Sequence, residues 1–110
     1  MYTPSRHVAT FFIAGFQHQD GALVLEELKA GTNLALVPER DNPYDPEAVA
    51  VYFKDAMIGY IPRTDNQLLS LLPFFGHSDV FECRVLQVNK EAEPWKQVRI
   101  GIYISDKRDY

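Results

Sequence analysis

The chain is predicted to fold as a mainly β domain with two short helices, an OB-like or SH3-like small β-barrel. Six runs rich in β-branched, aliphatic and aromatic residues are separated by short turn-forming segments. Two leucine-rich stretches at helical spacing interrupt that series, one after the first run and one after the fourth. With 110 residues, 46% of them hydrophobic, the chain suits one domain with its own core. Antiparallel strands with a helix inserted at two points favour a small twisted barrel with helices at its openings. The competing architecture is an open α+β sandwich.

The first strand is expected over His7 to Gln17, where Val8, Phe11, Phe12, Ile13 and Phe16 dominate; Gly15 within it signals a bulge or a bend at a barrel corner. Asp20 then caps a helix carrying Leu23, Val24, Leu25 and Leu28 on one face, and Gly31 ends it. A buried strand follows from Asn33 to Glu39. Another runs from Ala48 to Phe53, turns at Lys54-Asp55, and returns over Ala56 to Ile61. Pro62 stops that strand because it cannot donate to a ladder.

Thr64 followed by Gln67 has the spacing of a capping box and opens a second helix over Leu68, Leu69, Leu71 and Leu72, ended by Pro73. Phe74, Phe75 and Gly76 are expected in a loop. Alternation from Val80 to Asn89 and again from Trp95 to Ile104 predicts two half-buried antiparallel strands around a turn at residues 90–94. The folded core spans about 7–104 of a single domain, 1–110, and residues 105–110 form a charged tail.

The stretch richest in chemistry is Asp41-Asn42-Pro43-Tyr44-Asp45-Pro46-Glu47, between two apolar strands. Its prolines fix φ near −65° and restrict the residues before them, so a tyrosine, an amide and several carboxylates sit on a stiff backbone. One strand later, Gly59-Tyr60-Ile61-Pro62-Arg63 places a second tyrosine and a guanidinium at a strand end. A carboxylate can accept a hydroxyl's hydrogen bond and repel a phosphate. Tyrosine faces stack on any base, and a guanidinium grips a phosphate with a planar fork of donors. Arg40 and Lys54 are further cations near this region. Asn42 and Asp45 also have a purely structural role open to them, as turn formers bonding their own backbone. Tyr44 and Tyr60 have another, packing over the barrel end.

Composition narrows the alternatives. Net charge is −4 and the isoelectric point is about 5.2, which disfavours broad charge-driven binding to duplex DNA. No apolar run reaches transmembrane length, and the N-terminal segment lacks the pattern of a signal peptide, so a cytoplasmic protein is expected. The single cysteine, Cys83, is expected to be reduced and buried. His7, His18 and His77 lack metal-ligand spacing, and the Asp41–Glu47 acids lack the spacing of a calcium loop. No phosphate loop, nucleophile elbow or zincin motif occurs, so a binding module without cofactors or metals is expected rather than an enzyme.

Three segments together resemble the HIRAN domain family: Ile13 to Gly21, Asp41 to Val51, and Ile58 to Arg63. The likeness extends from about Phe12 to Ile104 and is most specific in Asn-Pro-Tyr-Asp and its spacing to Gly-Tyr-Ile-Pro-Arg. The resemblance implies a modified OB fold. It also implies binding to single-stranded DNA at free 3′-hydroxyl ends, in DNA repair or replication-fork processing. Family members are fused to SNF2-type translocases or stand alone. The resemblance assigns Tyr44 to packing against the terminal nucleotides, Asp45 to the 3′-hydroxyl and Arg63 to a phosphate. Tyr60 and Asn42 accompany them. Gln17, His18 and Gln19 fall where the family's DNA-binding pattern has a basic residue and two aromatics, so this chain departs from it; His18 offers a partial substitute. The alternative is an adaptor domain whose groove takes a partner peptide and binds no DNA.

Overall fold

The computed structural model describes residues 5–16, 24–62, 66–77 and 79–105. Six strands form one antiparallel sheet: β1 (Ser5–Phe12), β2 (Asn33–Pro38), β3 (Val49–Phe53), β4 (Ala56–Tyr60), β5 (Phe81–Val88) and β6 (Val98–Ser105). Their order across the sheet is β1-β6-β5-β2-β3-β4. Among the described residues, an α-helix, α1 (Gln67–Phe74), follows β4 and packs against β2. Short 3₁₀ turns lie at Leu25–Glu27 and Pro94–Lys96.

Alternation produces the core. In β5, Cys83 and Val85 point inward; in β6, Val98, Ile100 and Ile102 do. They meet Val49, Val51 and Phe53 of β3, Ile58 of β4, and Ile13, Phe16, Leu28, Ile61 and Leu69 from the connections. Burial of these side chains from water is the main stabilising term.

The two outer strands, β1 and β4, share no ladder, so the sheet remains open as a barrel. One antiparallel bridge nevertheless joins the edges. Past the end of β1, the Ala14 and Tyr60 backbones exchange two hydrogen bonds of 2.8 Å each. Gly59 permits this approach. Its φ is +154°, and a Cβ there would lie 2.3 Å from Ile13 Cγ2 and 2.7 Å from the Ala14 carbonyl oxygen. The bridge sets the floor of the groove described below.

Several expected boundaries move. The bulge in β1 falls between His7 and Ala9, not at Gly15, which occupies the turn beyond the strand with φ +68°. Asp20 and Leu23 lie outside the described residues, and the described end of the first helix is the turn at Leu25–Glu27. Gly31 does not cap it: the Gly31 N–H donates to Val85 O on β5, within a turn closed by Thr32 N–H to Lys29 O. β2 is half-buried rather than buried. Leu34 and Leu36 pack against the core while Ala35 and Val37, on the opposite face of the strand, are exposed.

Thr64 lies outside the described residues, and the N-cap of α1 is Asn66, so Gln67 is its first residue and not the third position of a capping box. α1 runs one residue past Pro73, to Phe74, and its end is closed by Gly76 N–H to Pro73 O and His77 N–H to Leu72 O around Gly76 at φ +93°. The Trp95 segment is a 3₁₀ turn because Pro94, with its φ fixed, stands at its first positions. Among the described residues, no helix is long and apolar enough to cross a membrane.

Candidate functional site

The polar loop between β2 and β3 is wired by its own side chains. Asn42 Oδ1 accepts hydrogen bonds from the backbone N–H groups of Tyr44 (2.9 Å) and Asp45 (3.1 Å). Asp45 Oδ1 accepts from Glu47 N–H at 2.9 Å. These are turns closed by short side chains on their own backbone, the chemistry expected of Asn and Asp beside proline. The turn-forming role weighed for Asn42 and Asp45 is therefore present. It coexists with a second set of contacts that reach out of the loop.

Asp45 Oδ2 accepts a 2.9 Å bond from Asn66 Nδ2 at the start of α1. Glu39 Oε1, at the end of β2, accepts from both Tyr60 Oη (3.0 Å) and Asn42 Nδ2 (3.1 Å). The loop is thus tied to α1 through Asp45 and to β4 through Glu39. Partial burial, together with the hydrogen bond to and the charge of Glu39, holds the Tyr60 phenol above its usual value of 10.0, with the nearby Tyr52 adding to the rise.

These residues enclose a groove of about 450 Å³ lined by Ala14, Asn42, Tyr44, Asp45, Ala48, Tyr60, Ile61 and Asn66. Tyr44 stands at its rim, 87% exposed, on a backbone whose N–H is already held. Asn66, by contrast, is only 4% exposed and points its amide at Asp45. No lysine or arginine is among the described lining residues, so the described groove offers aromatic faces, amides and a fixed carboxylate.

The structure brings Asn42, Tyr44, Asp45 and Tyr60 together, as the sequence predicts for one site. Gln17, His18, Gln19 and Arg63 lie outside the described residues. The two weaker cation candidates do not line the groove. The Arg40 guanidinium stacks 4.6 Å from the centre of the Phe74 ring. Lys54 sits at the far end of β4 from Tyr60, 3.9 Å from Glu27 Oε1 and over Phe53. Sequence reasoning missed Glu39 and Asn66. Asn66 stands just before a helical run, a capping position, but nothing in that local pattern announces its bond to Asp45, 21 residues away. Among the described residues, no group of three or more His, Cys, Asp or Glu is placed to hold a metal.

Comparison with known proteins agrees with this architecture. The family model of the HIRAN domain matches residues 7–107. A crystal structure of a protein from Lactobacillus plantarum superposes with a TM-score of 0.77 at 21% identity, covering 96% of this chain and 99% of that one. The crystal structure of the HIRAN domain of human HLTF superposes with a TM-score of 0.55 at 15% identity, covering 92% of this chain and 77% of that one. No curated protein matches the chain.

Proposed function

The chain belongs to the HIRAN domain family, and on that premise we propose that it is a nucleic-acid-binding module that captures single-stranded DNA at a free 3′-hydroxyl end, in DNA repair or fork processing. The observation that carries the reading is the Tyr44–Asp45 pair. An exposed aromatic ring adjoins a carboxylate whose orientation is fixed by Glu47 N–H and Asn66 Nδ2. A terminal hydroxyl entering the groove meets an acceptor already in place, so little ordering entropy is lost on binding. A terminal phosphate meets the negative charge of the same carboxylate. Tyr44 supplies a stacking face indifferent to base identity. The family is one of binding domains.

A second reading has its own support. The net charge of −4, the exposed Leu68 on α1 and the exposed Phe75 just past its end suit an adaptor whose groove takes a partner peptide. Fluorescence anisotropy at low salt separates the two. A labelled single strand with a 3′-hydroxyl is expected to bind more tightly than the same strand with a 3′-phosphate. Equal affinities would remove Asp45 from end selection, and no binding to either strand would favour the adaptor.

A further inference from the structure

A second cleft, of about 190 Å³, lies beside the β5–β6 turn and is lined by Phe12, Gln87, Asn89, Lys96, Gln97 and Arg99 among others. In a chain of net charge −4, the described lining residues include two cations and no carboxylate. Glu91 and Glu93 on the same turn are exposed and do not line it. Lys90, also on the turn, is engaged by Glu26.

Arg99 has donors to spare. Its Nη2 reaches Gln87 Oε1 at a long 3.4 Å, and its Nε is buried without a hydrogen-bond partner. A guanidinium carries five N–H donors, and a buried one left unpaired is costly unless a ligand completes it. The Arg99 guanidinium also lies 5.9 Å from the centre of the exposed Phe12 ring.

The cleft and the Asp45 groove share no lining residue, but one short stretch of backbone contributes to both. Phe12 faces Arg99 across the β1–β6 ladder, and Ala14, two residues on, lines the groove. Two residues of extended chain span about 7 Å and return to the same face. A strand leaving the groove over Ala14 therefore meets Phe12 and the two cations next.

We propose that this cleft is a phosphodiester subsite, in which Arg99 and Lys96 grip the backbone of a single strand inward of its two terminal nucleotides while Phe12 offers a face to a base. The proposal rests on the end-binding reading above and extends it. It also supplies phosphate contacts on a chain whose described groove lining holds no lysine or arginine.

The test compares a dithymidylate, which occupies the groove alone, with a strand of about ten thymidines, within the site size of an OB fold. The Lys96→Gln/Arg99→Gln double variant is expected to bind the dithymidylate within about twofold of wild type. Its affinity for the longer strand should fall on the order of tenfold at low salt. The slope of log affinity against log salt should become shallower by about 1.4, since each single-strand phosphate contact contributes about 0.7. Lys96→Gln alone, at an exposed position that cannot disturb the fold, should remove about 0.7 of that slope. Wild-type binding with unchanged slope and affinity in both variants would overturn the subsite and leave the end-binding reading standing. Failure of wild type to bind either strand would overturn both.

Discussion

At the scale of single residues, Tyr44 is the side chain with least structural reason to be where it is. It is almost fully exposed, makes no core contact, and stands on a backbone pinned by Asn42. Tyr44→Ala should therefore change unfolding free energy by no more than about 0.5 kcal/mol, as surface substitutions do. The same change should weaken single-strand binding by about 1–3 kcal/mol, the worth of one stacked base. Tyr44→Phe should retain affinity, because the ring face and not the hydroxyl makes the contact. Anisotropy titrations with denaturation curves on the same preparations decide it; a stability loss that matches the affinity loss would return Tyr44 to a packing role. The Asn42–Tyr44–Asp45 constellation was legible in the sequence because its organising bonds span two or three residues, a range that proline and Asx chemistry governs. Glu39 and Asn66 were not. Their decisive bonds, Tyr60 to Glu39 and Asn66 to Asp45, each cross 21 residues, and no local pattern encodes such a pairing.

At the scale of elements, the site depends on two joints. The first is the bridge between the end of β1 and β4, permitted by Gly59. Gly59→Ala drives a Cβ into Ile13 and the Ala14 carbonyl at a φ that L-residues avoid, and overpacking of this kind costs about 1–3 kcal/mol. The variant should be less stable and should lose amide-exchange protection at Ala14 and Tyr60 before the β5–β6 ladder is affected. Uniform loss of protection across the sheet would mean that the bridge is no separate unit. The second joint is Asn66. It occupies the N-cap of α1 with helical φ and ψ (−93°, −8°) and makes no side-chain cap bond; its amide Nδ2 donates to Asp45. Asn66→Ala should cost about 1–3 kcal/mol by stripping a donor from a partly buried carboxylate, and much less than that in an Asp45→Ala background. Additive losses in that double-mutant cycle would show the pair to be uncoupled. Six strands in the right order with short connections were legible from hydrophobic period alone. Element ends were less so. Pro73 and Trp95 misled for the same reason: the capping bonds around Gly76 and the φ-locked turn at Pro94 override propensity.

At the scale of the whole molecule, what alternation could not reveal is how the sheet's two edges come together. A period of two says which face of a strand is buried, not which strands are last in the sheet. The order that results places β5 centrally, with Cys83 opposite Leu34 on β2 and Ile102 on β6. Burial there pushes the Cys83 thiol up from 9.0 to about 12, and the Tyr60 phenol is likewise raised above 10.0. Both groups are neutral when protonated, so between the unfolded and folded values the native state holds protons that the unfolded chain has released. With fewer protons bound in the unfolded state, stability falls as pH rises. The contribution is fully present below pH 9 and is lost progressively toward pH 12 for Cys83, and above pH 10 for Tyr60. Denaturant midpoints of wild type should thus decline through this alkaline range. Cys83→Ala, although less stable at neutral pH because it leaves a small cavity, should decline less steeply by about one proton's worth of slope between pH 9 and 12. The native thiol should also resist an aromatic disulfide reagent at pH 8 and react once denaturant unfolds the chain, since the thiolate is the nucleophile. Parallel alkaline slopes for wild type and Cys83→Ala, or prompt labelling of the native protein, would place Cys83 outside the sealed centre of the sheet.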